Sequence, residues 1–168
     1  MIRIRQCPRL PWRSRVDRAR AIYNLGAARE GSQREYMASL QSRGICLFCP
    51  GYLRTDRNQE VLQTTSHWTV IRNRYPYTGS RMHLVLVPDD HVYTLLDLPA
   101  ATRSEFWEVL EWATTEYGLD DYGVGVRNGD PQSTAGTIAH VHAHLLAPNG
   151  RQALRMKFGT GSGSTSGT

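Results

Sequence analysis

The chain has 168 residues, enough for one domain with a substantial core and some terminal extension. Hydrophobic residues make up 40% and charged residues 21%, a composition that is typical of a globular protein and not of a disordered one. No apolar run approaches the roughly 20 residues of a membrane-spanning helix, and no apolar signal segment follows the basic residues at the start. We therefore expect a cytoplasmic protein with no membrane partner.

The net charge of +5 comes from the N-terminal part of the chain. Residues 1–43 contain ten arginines and three acidic residues, whereas residues 44–168 contain ten basic and twelve acidic residues. A basic segment attracts phosphate-rich partners, so nucleic acid stays open as a partner. A solvated surface helix explains the same charges and is the interpretation that we favour.

Apolar spacing and turn residues predict the secondary structure in chain order. The predicted elements are helices at 14–28 and 32–42, a hairpin of strands 61–65 and 68–72, a strand at 82–88, a helix at 99–117, and strands at 122–127 and 137–147. The last ten residues contain only Gly, Ser and Thr and predict a flexible tail.

Three of the six histidines, His140, His142 and His144, occupy alternate positions in the last predicted strand. Alternate residues of a strand leave the same face, so we expect the three imidazoles to form one row. Val141 and Ala143 then face the other way and can pack inward. Histidine is the side chain best suited to carry protons and to bind metals near neutral pH, so the row marks the candidate site.

Cys46 and Cys49 form a Cys-x-x-Cys turn, the spacing with which two thiolates bind one zinc ion. A redox pair and two buried thiols are the alternatives, although no thioredoxin-like pattern surrounds the turn. No second such pair is present, so further ligands would be distant in sequence. His91 and one histidine of the row are the candidates.

The row and its flanks resemble the histidine triad (HIT) family. His140-Val141-His142-Ala143-His144-Leu145-Leu146 matches the family's alternation of histidine and apolar residues, and the segments 73–76 and 83–88 resemble its Asn-x-x-Pro and its His-led strand. The resemblance implies an α+β, HIT-like fold with an antiparallel sheet of about five strands, a long packed helix and an N-terminal helical extension. It divides the chain into a basic helical extension at 1–44, a catalytic domain at 45–150 and a tail at 151–168.

The resemblance also implies a zinc site. Many bacterial members of the family bind zinc through positions that correspond here to Cys46, Cys49, His91 and His140. Four protein ligands leave no open position, so we expect a structural Zn²⁺ ion.

Site residues follow from the same resemblance. His142 corresponds to the nucleophile that attacks the α-phosphorus of a nucleotide, and we expect a backbone carbonyl to orient its imidazole. His144 corresponds to a phosphate-binding and charge-stabilising group, and Thr137 to a residue near the leaving group. The remaining substrate-binding positions are Asn73, His83, Asn128 and Gly136.

Two departures from the family pattern affect these assignments. Gly136 replaces a Gln, and the loop that carries Asn128 is one residue longer than in shorter members. His144 stands where the transferase branch has Gln, which favours hydrolysis over nucleotidyl transfer.

The sequence therefore predicts a nucleotide hydrolase that acts on dinucleoside polyphosphates or nucleoside phosphoramidates. A phosphorylase, a nucleotidyl transferase, a polynucleotide 5′-adenylate hydrolase and a non-catalytic nucleotide-binding protein are the alternatives. Family members often form homodimers, which the resemblance allows here.

Overall fold

The structure is a computed structural model that describes residues 21–159. Its strands are β1 (Glu60–Thr64), β2 (Trp68–Arg72), β3 (Ser80–Pro88), β4 (Gly123–Val126) and β5 (Ala143–Pro148). Its α-helices are α1 (Gly31–Ser42), α2 (Pro50–Leu53), α3 (Ala100–Glu116) and α4 (Pro131–Thr134), and two 3-10 turns span Leu25–Ala27 and Leu95–Asp97.

The five strands form one antiparallel sheet in the order β1-β2-β3-β5-β4. The inner strands, β2, β3 and β5, are buried along most of their length, which their apolar residues allow on both faces of the sheet. This arrangement confirms the predicted α+β class, the five-stranded sheet and the long packed helix.

One face of the sheet packs against α3. Val109, Leu110 and Ala113 of α3 are buried in a cluster with alternate residues of the central strands, including Leu84 and Leu145. Trp68 of β2 is fully buried there, and its indole Nε1 donates a hydrogen bond to the Thr102 carbonyl of α3, 2.8 Å away. The helix ends as predicted at Gly118, whose positive φ of 56° is accessible to glycine without steric cost.

The other face packs against α1 and the Cys-x-x-Cys turn. Met37 and Leu40 of α1 contact a cluster that includes Phe48 of the turn and Val85 and Val87 of β3. His83 shares the parity of Val85 and Val87 on β3 and therefore lies on this same face.

Tyr23 connects three parts of this second layer. It forms an isolated bridge with Ile138, and its buried hydroxyl donates to the Ile45 carbonyl (2.9 Å) and accepts from the Leu47 amide (2.8 Å). Burial raises the pKa of Tyr23, so the hydroxyl keeps its proton for this bond. The backbone on both sides of Cys46 is thus fixed by one side chain.

The predicted helix at 14–28 is wrong in its described part, residues 21–28. These residues form the bridge at Tyr23 and the 3-10 turn Leu25–Ala27 instead. The reason is that their backbone bonds to the segment before β5, from the Asn24 amide to the Thr137 carbonyl and from the Ala139 amide to the Ile22 carbonyl. Residues 14–20 and the predicted tail from residue 160 lie outside the described residues.

The last predicted strand, 137–147, is too long at its start. Strand β5 begins at Ala143, because the amides of Ala139 and Val141 bond to the Ile22 and Val92 carbonyls rather than to a neighbouring strand. His140 and His142 therefore precede the strand. Within residues 21–159 no helix is long and apolar enough to cross a membrane.

Candidate active site

The three histidines of the row lie on the α1 face of the sheet, although among them only His144 is in a strand. The alternation predicted from the sequence persists through the irregular segment, because Val141 and Ala143 are buried in the cluster of the α3 face. The rings of His142 and His144 are 4.9 Å apart between centroids. The ring of His140 turns instead towards His91, at 4.9 Å. The row therefore divides into His140, which lies beside the predicted metal ligand His91, and the pair His142 and His144, which line one cleft.

His142 is oriented by the backbone of its own segment, as expected. Its Nδ1 lies 2.7 Å from the His140 carbonyl, which can only accept, so Nδ1 carries the proton and Nε2 keeps its lone pair. Burial lowers the pKa of His142 to about 4, with the carbonyl bond opposing this shift. The imidazole is therefore neutral at physiological pH, the state in which it is a nucleophile.

His83 and His144 form a chain whose tautomers follow from its first donor. The Tyr77 amide donates to Nδ1 of His83 (3.1 Å), so the proton of a neutral His83 is on Nε2. Nε2 lies 3.0 Å from the Asn73 amide nitrogen and 2.9 Å from Nδ1 of His144, and since the amide nitrogen only donates, Nε2 donates to Nδ1 of His144. Burial lowers the pKa of both rings, that of His83 to about 3. His144 is thus left with its proton on Nε2.

An open cleft lies beside these groups, and its empty space of about 660 Å³ includes open solvent. His142, His144, Asn73 and Thr137 line it, together with three arginines, Arg29, Arg74 and Arg127. No Asp or Glu among residues 21–159 lines this cleft. Its electrostatics therefore suit an anionic ligand.

Arg127 is the site residue that sequence reasoning missed. Its guanidinium donates to the Tyr77 hydroxyl (3.0 Å), the Thr134 carbonyl (3.1 Å) and the Lys157 carbonyl (2.8 Å). A signal was present, since Arg127 is the single Lys or Arg between residues 104 and 150. It also stands directly before Asn128, a position that the resemblance had selected.

The four predicted metal ligands come together at the other end of the row. One ligand atom from each of Cys46, Cys49, His91 and His140 lies within 4.8 Å of all the others. Nε2 of His140 lies 2.8 Å from the Pro88 carbonyl, so its Nδ1 is free of a proton and faces the Cys46 sulfur at 3.6 Å. Two thiols and two imidazoles at this spacing fit a tetrahedral zinc ion.

The metal-type group is coupled to His142 through Phe48, which lies between the two cysteines in sequence. Its ring meets His142 edge-on at 4.8 Å and His140 at 6.1 Å. Ordering of the Cys-x-x-Cys turn therefore also fixes one wall of the His142 environment.

Of the other predicted substrate residues, Asn73 lines the cleft and Asn128 and Gly136 do not. Asn73 lines the cleft, and its amide nitrogen lies 3.0 Å from Nε2 of His83 while its oxygen accepts from the Tyr75 amide as a turn cap. Asn128 is exposed, does not line the cleft and accepts a hydrogen bond from the Leu95 amide at 2.8 Å. Gly136 is buried between Pro131 and Arg127 and forms no part of the lining.

Comparison with known proteins gives this site a family. The model of the HIT domain family matches residues 54–151, which is more than half of the chain. The chain belongs to the HIT domain family. Comparison with curated protein sequences finds no match.

Solved structures resemble this HIT domain in fold. A histidine triad protein from Clostridium difficile is 21% identical with a TM-score of 0.51, and the alignment covers 67% of this chain and 96% of that one. A histidine triad nucleotide-binding protein from Candida albicans is 22% identical with a TM-score of 0.52, over 73% and 85% of the two chains. A protein from Leishmania major is 23% identical with a TM-score of 0.53, over 70% and 82%.

Proposed function

We propose that this HIT protein hydrolyses nucleotide conjugates at the α-phosphate through a nucleotidyl-His142 intermediate. The observation that carries the proposal is the hydrogen bond from Nδ1 of His142 to the His140 carbonyl, which leaves Nε2 as a neutral nucleophile at a cleft that no carboxylate of residues 21–159 lines. Dinucleoside polyphosphates and nucleoside phosphoramidates are the substrate classes that this chemistry serves.

The reaction has two displacements. In the first, the Nε2 lone pair of His142 forms a bond to the α-phosphorus, and the bond from phosphorus to the leaving group breaks with its electron pair. In the second, water attacks the phosphorus and releases a proton to the solvent, the phosphorus–nitrogen bond breaks with its electron pair returning to Nε2 of His142, and the nucleoside monophosphate leaves. In this proposal Nε2–H of His144 donates to a phosphate oxygen as charge develops, and Thr137, a residue of the cleft lining, contacts the leaving group.

We propose further that Cys46, Cys49, His91 and His140 hold a structural zinc ion. The donor set and its spread of 4.8 Å support this, and the four positions are those that the family resemblance selects. The ion would fix His140, and with it the carbonyl that orients His142. All four coordination positions belong to the protein, so the metal has a positioning role and no contact with substrate.

The test is an end-point and rate assay on the native chain and two variants, His142→Ala and His67→Ala. The substrates are a dinucleoside triphosphate and a nucleoside phosphoramidate, each with and without inorganic phosphate. His67 is a partly exposed turn residue outside the cleft, so its variant is the matched control. We expect nucleoside monophosphate from the native and control chains, and a loss of at least about 1,000-fold in kcat for His142→Ala.

Other products assign other functions. Release of nucleoside diphosphate that requires added phosphate would show a phosphorylase. Turnover that survives in His142→Ala would refute the covalent mechanism. Nucleotide binding without any product would leave the protein a non-catalytic member of the family.

A further inference from the structure

The cleft contains a cation arrangement that the proposed reaction at the α-phosphate does not use. Arg127 Nη1 lies 3.3 Å from Nε2 of His144. The tautomer chain from the Tyr77 amide through His83 places a proton on that Nε2, and a guanidinium nitrogen only donates. Two donors this close do not bond to each other, so both N–H groups are available to acceptors of a bound ligand.

Arg127 is held rigidly for this task. Its three protein acceptors are a hydroxyl and two carbonyls, all uncharged, and among residues 21–159 no carboxylate pairs with it. Each of these bonds uses one of the five N–H groups of the guanidinium, and two remain. The charge is therefore positioned but not neutralised.

Residues 156–158 contribute to this positioning. The Lys157 carbonyl accepts from Nη2 of Arg127, and the Phe158 ring lies under the guanidinium at 5.3 Å from its carbon. Met156 packs on β4 at Gly125, where any Cβ would overlap its sulfur. Residues 156–158 thus run across β4 and reach Arg127.

The guanidinium of Arg29 lies beside Tyr77, the tyrosine to which Arg127 donates. Arg29 lies over the Tyr77 ring, 4.5 Å from its centroid, and donates to the Tyr75 carbonyl. Partial burial lowers the pKa of Arg29, and the Arg127 charge contributes in the same direction. The two cations therefore repel each other across Tyr77, and a bound polyanion would relieve this repulsion.

We infer that Arg127 and Arg29 bind the phosphates of the leaving group, so that the enzyme prefers nucleotides joined by a polyphosphate over nucleoside phosphoramidates. This inference rests on the proposed function. A phosphoramidate offers one ionised phosphate, to which the Nε2–H of His144 donates. Each phosphate of a polyphosphate bridge adds a negative charge. Since no carboxylate of the described residues lines the cleft, two arginines find phosphate partners only in that class.

The first experiment measures binding without turnover. His142→Ala is titrated with a nucleoside monophosphate, diphosphate and triphosphate, alone and combined with Arg127→Gln, Arg29→Gln or Arg81→Gln. Arg81 is an exposed arginine of β3 outside the cleft and is the charge-matched control. We expect the Kd of His142→Ala to fall with each added phosphate. Adding Arg127→Gln or Arg29→Gln should raise the Kd of the triphosphate about tenfold and leave the Kd of the monophosphate almost unchanged.

The second experiment measures kcat/KM for a dinucleoside triphosphate and a phosphoramidate. Arg127→Gln and Arg29→Gln should each lower the ratio of the two values about tenfold or more, mainly through KM, and Arg81→Gln should leave it unchanged. Arg127→Lys should restore part of the ratio, because it keeps the charge but not the planar fork. Thermal unfolding identifies any variant that does not fold. If Arg127→Gln does not fold, the test uses Arg29→Gln, because Arg29 has fewer bonds to the protein.

The outcomes separate this inference from the proposed function. Equal losses on both substrates, or none, would overturn the leaving-group site while hydrolysis stands. No turnover by the native chain, together with the expected dependence of Kd on phosphate number, would overturn hydrolysis while the phosphate site stands.

Discussion

His83 makes the stability of the fold depend on pH in a direction that can be measured. Its ring is 3% exposed, and burial, with the charges of Arg29 and Arg127, lowers its pKa from 6.5 to about 3. Between these two values the unfolded chain binds a proton that the folded chain does not. His83 therefore destabilises the fold progressively as pH falls below about 6.5, and it has little effect above pH 7.

The magnitude follows from the two pKa values. At pH 5 the unfolded His83 is almost fully protonated and the folded one is not, which costs about 2 kcal/mol relative to pH 7. A His83→Gln variant removes the titrating group and keeps a polar side chain. It should therefore lose about 2 kcal/mol less than the native chain between pH 7 and pH 5, although it is less stable at pH 7 because its hydrogen bonds are altered.

Urea unfolding at pH 7 and pH 5 measures the difference. Val85→Ala is the matched control, since Val85 is the next buried residue of β3 on the same face and carries no proton. Its loss of stability should be the same at both pH values, because groups common to both chains cancel. A His83→Gln variant with the native pH dependence would refute the assignment of a depressed pKa to this ring.

Three further outcomes test other parts of the molecule. A Cys46→Ser, Cys49→Ser double variant should fall from about one bound zinc to almost none by metal analysis and should unfold at a lower temperature; stoichiometric zinc would refute the ligand set. Trp68→Phe should cost about 1–3 kcal/mol in urea unfolding, because the carbonyl bonded by the indole loses its donor in a buried position; an unchanged midpoint would contradict that role. Phe158→Ala should raise KM for a dinucleoside triphosphate more than for a phosphoramidate, because the ring supports Arg127; equal changes would show that the ring has no such role.

Much of the fold was predictable because its signals are local. The helix α3 was predicted within one residue at each end, since apolar spacing and Gly118 define it. Strands β2 and β3 show the apolar runs of central strands. The fate of residues 21–28 was not predictable in this way, because their helical spacing is overridden by backbone bonds to residues 137–139, which are distant in sequence.

In the candidate site too, the residues with a local sequence signal were predictable and those placed by contacts distant in sequence were not. His142 and the metal-type group follow from spacing together with the family resemblance, and the structure brings the four ligand atoms together. Arg127 was missed because a single arginine at the end of a short edge strand carries no motif. Its importance arises from Tyr77 and Lys157, which approach it from elsewhere in the chain. The placement of Asn128, turned towards the Leu95 amide, likewise depends on a loop that spacing alone does not determine.

The bridge at Tyr23 has a practical consequence for how this protein is cut into fragments. The family match begins at residue 54, yet the Tyr23 hydroxyl is bonded on both sides of Cys46, and Tyr23 pairs with Ile138 two residues before His140. A fragment that begins at residue 45 would retain every proposed zinc ligand but lose the tether between the two halves of the ligand set. A fragment meant to preserve the site should therefore start no later than residue 21. A shorter fragment that bound zinc as tightly would show that the metal alone holds the two halves of the ligand set together.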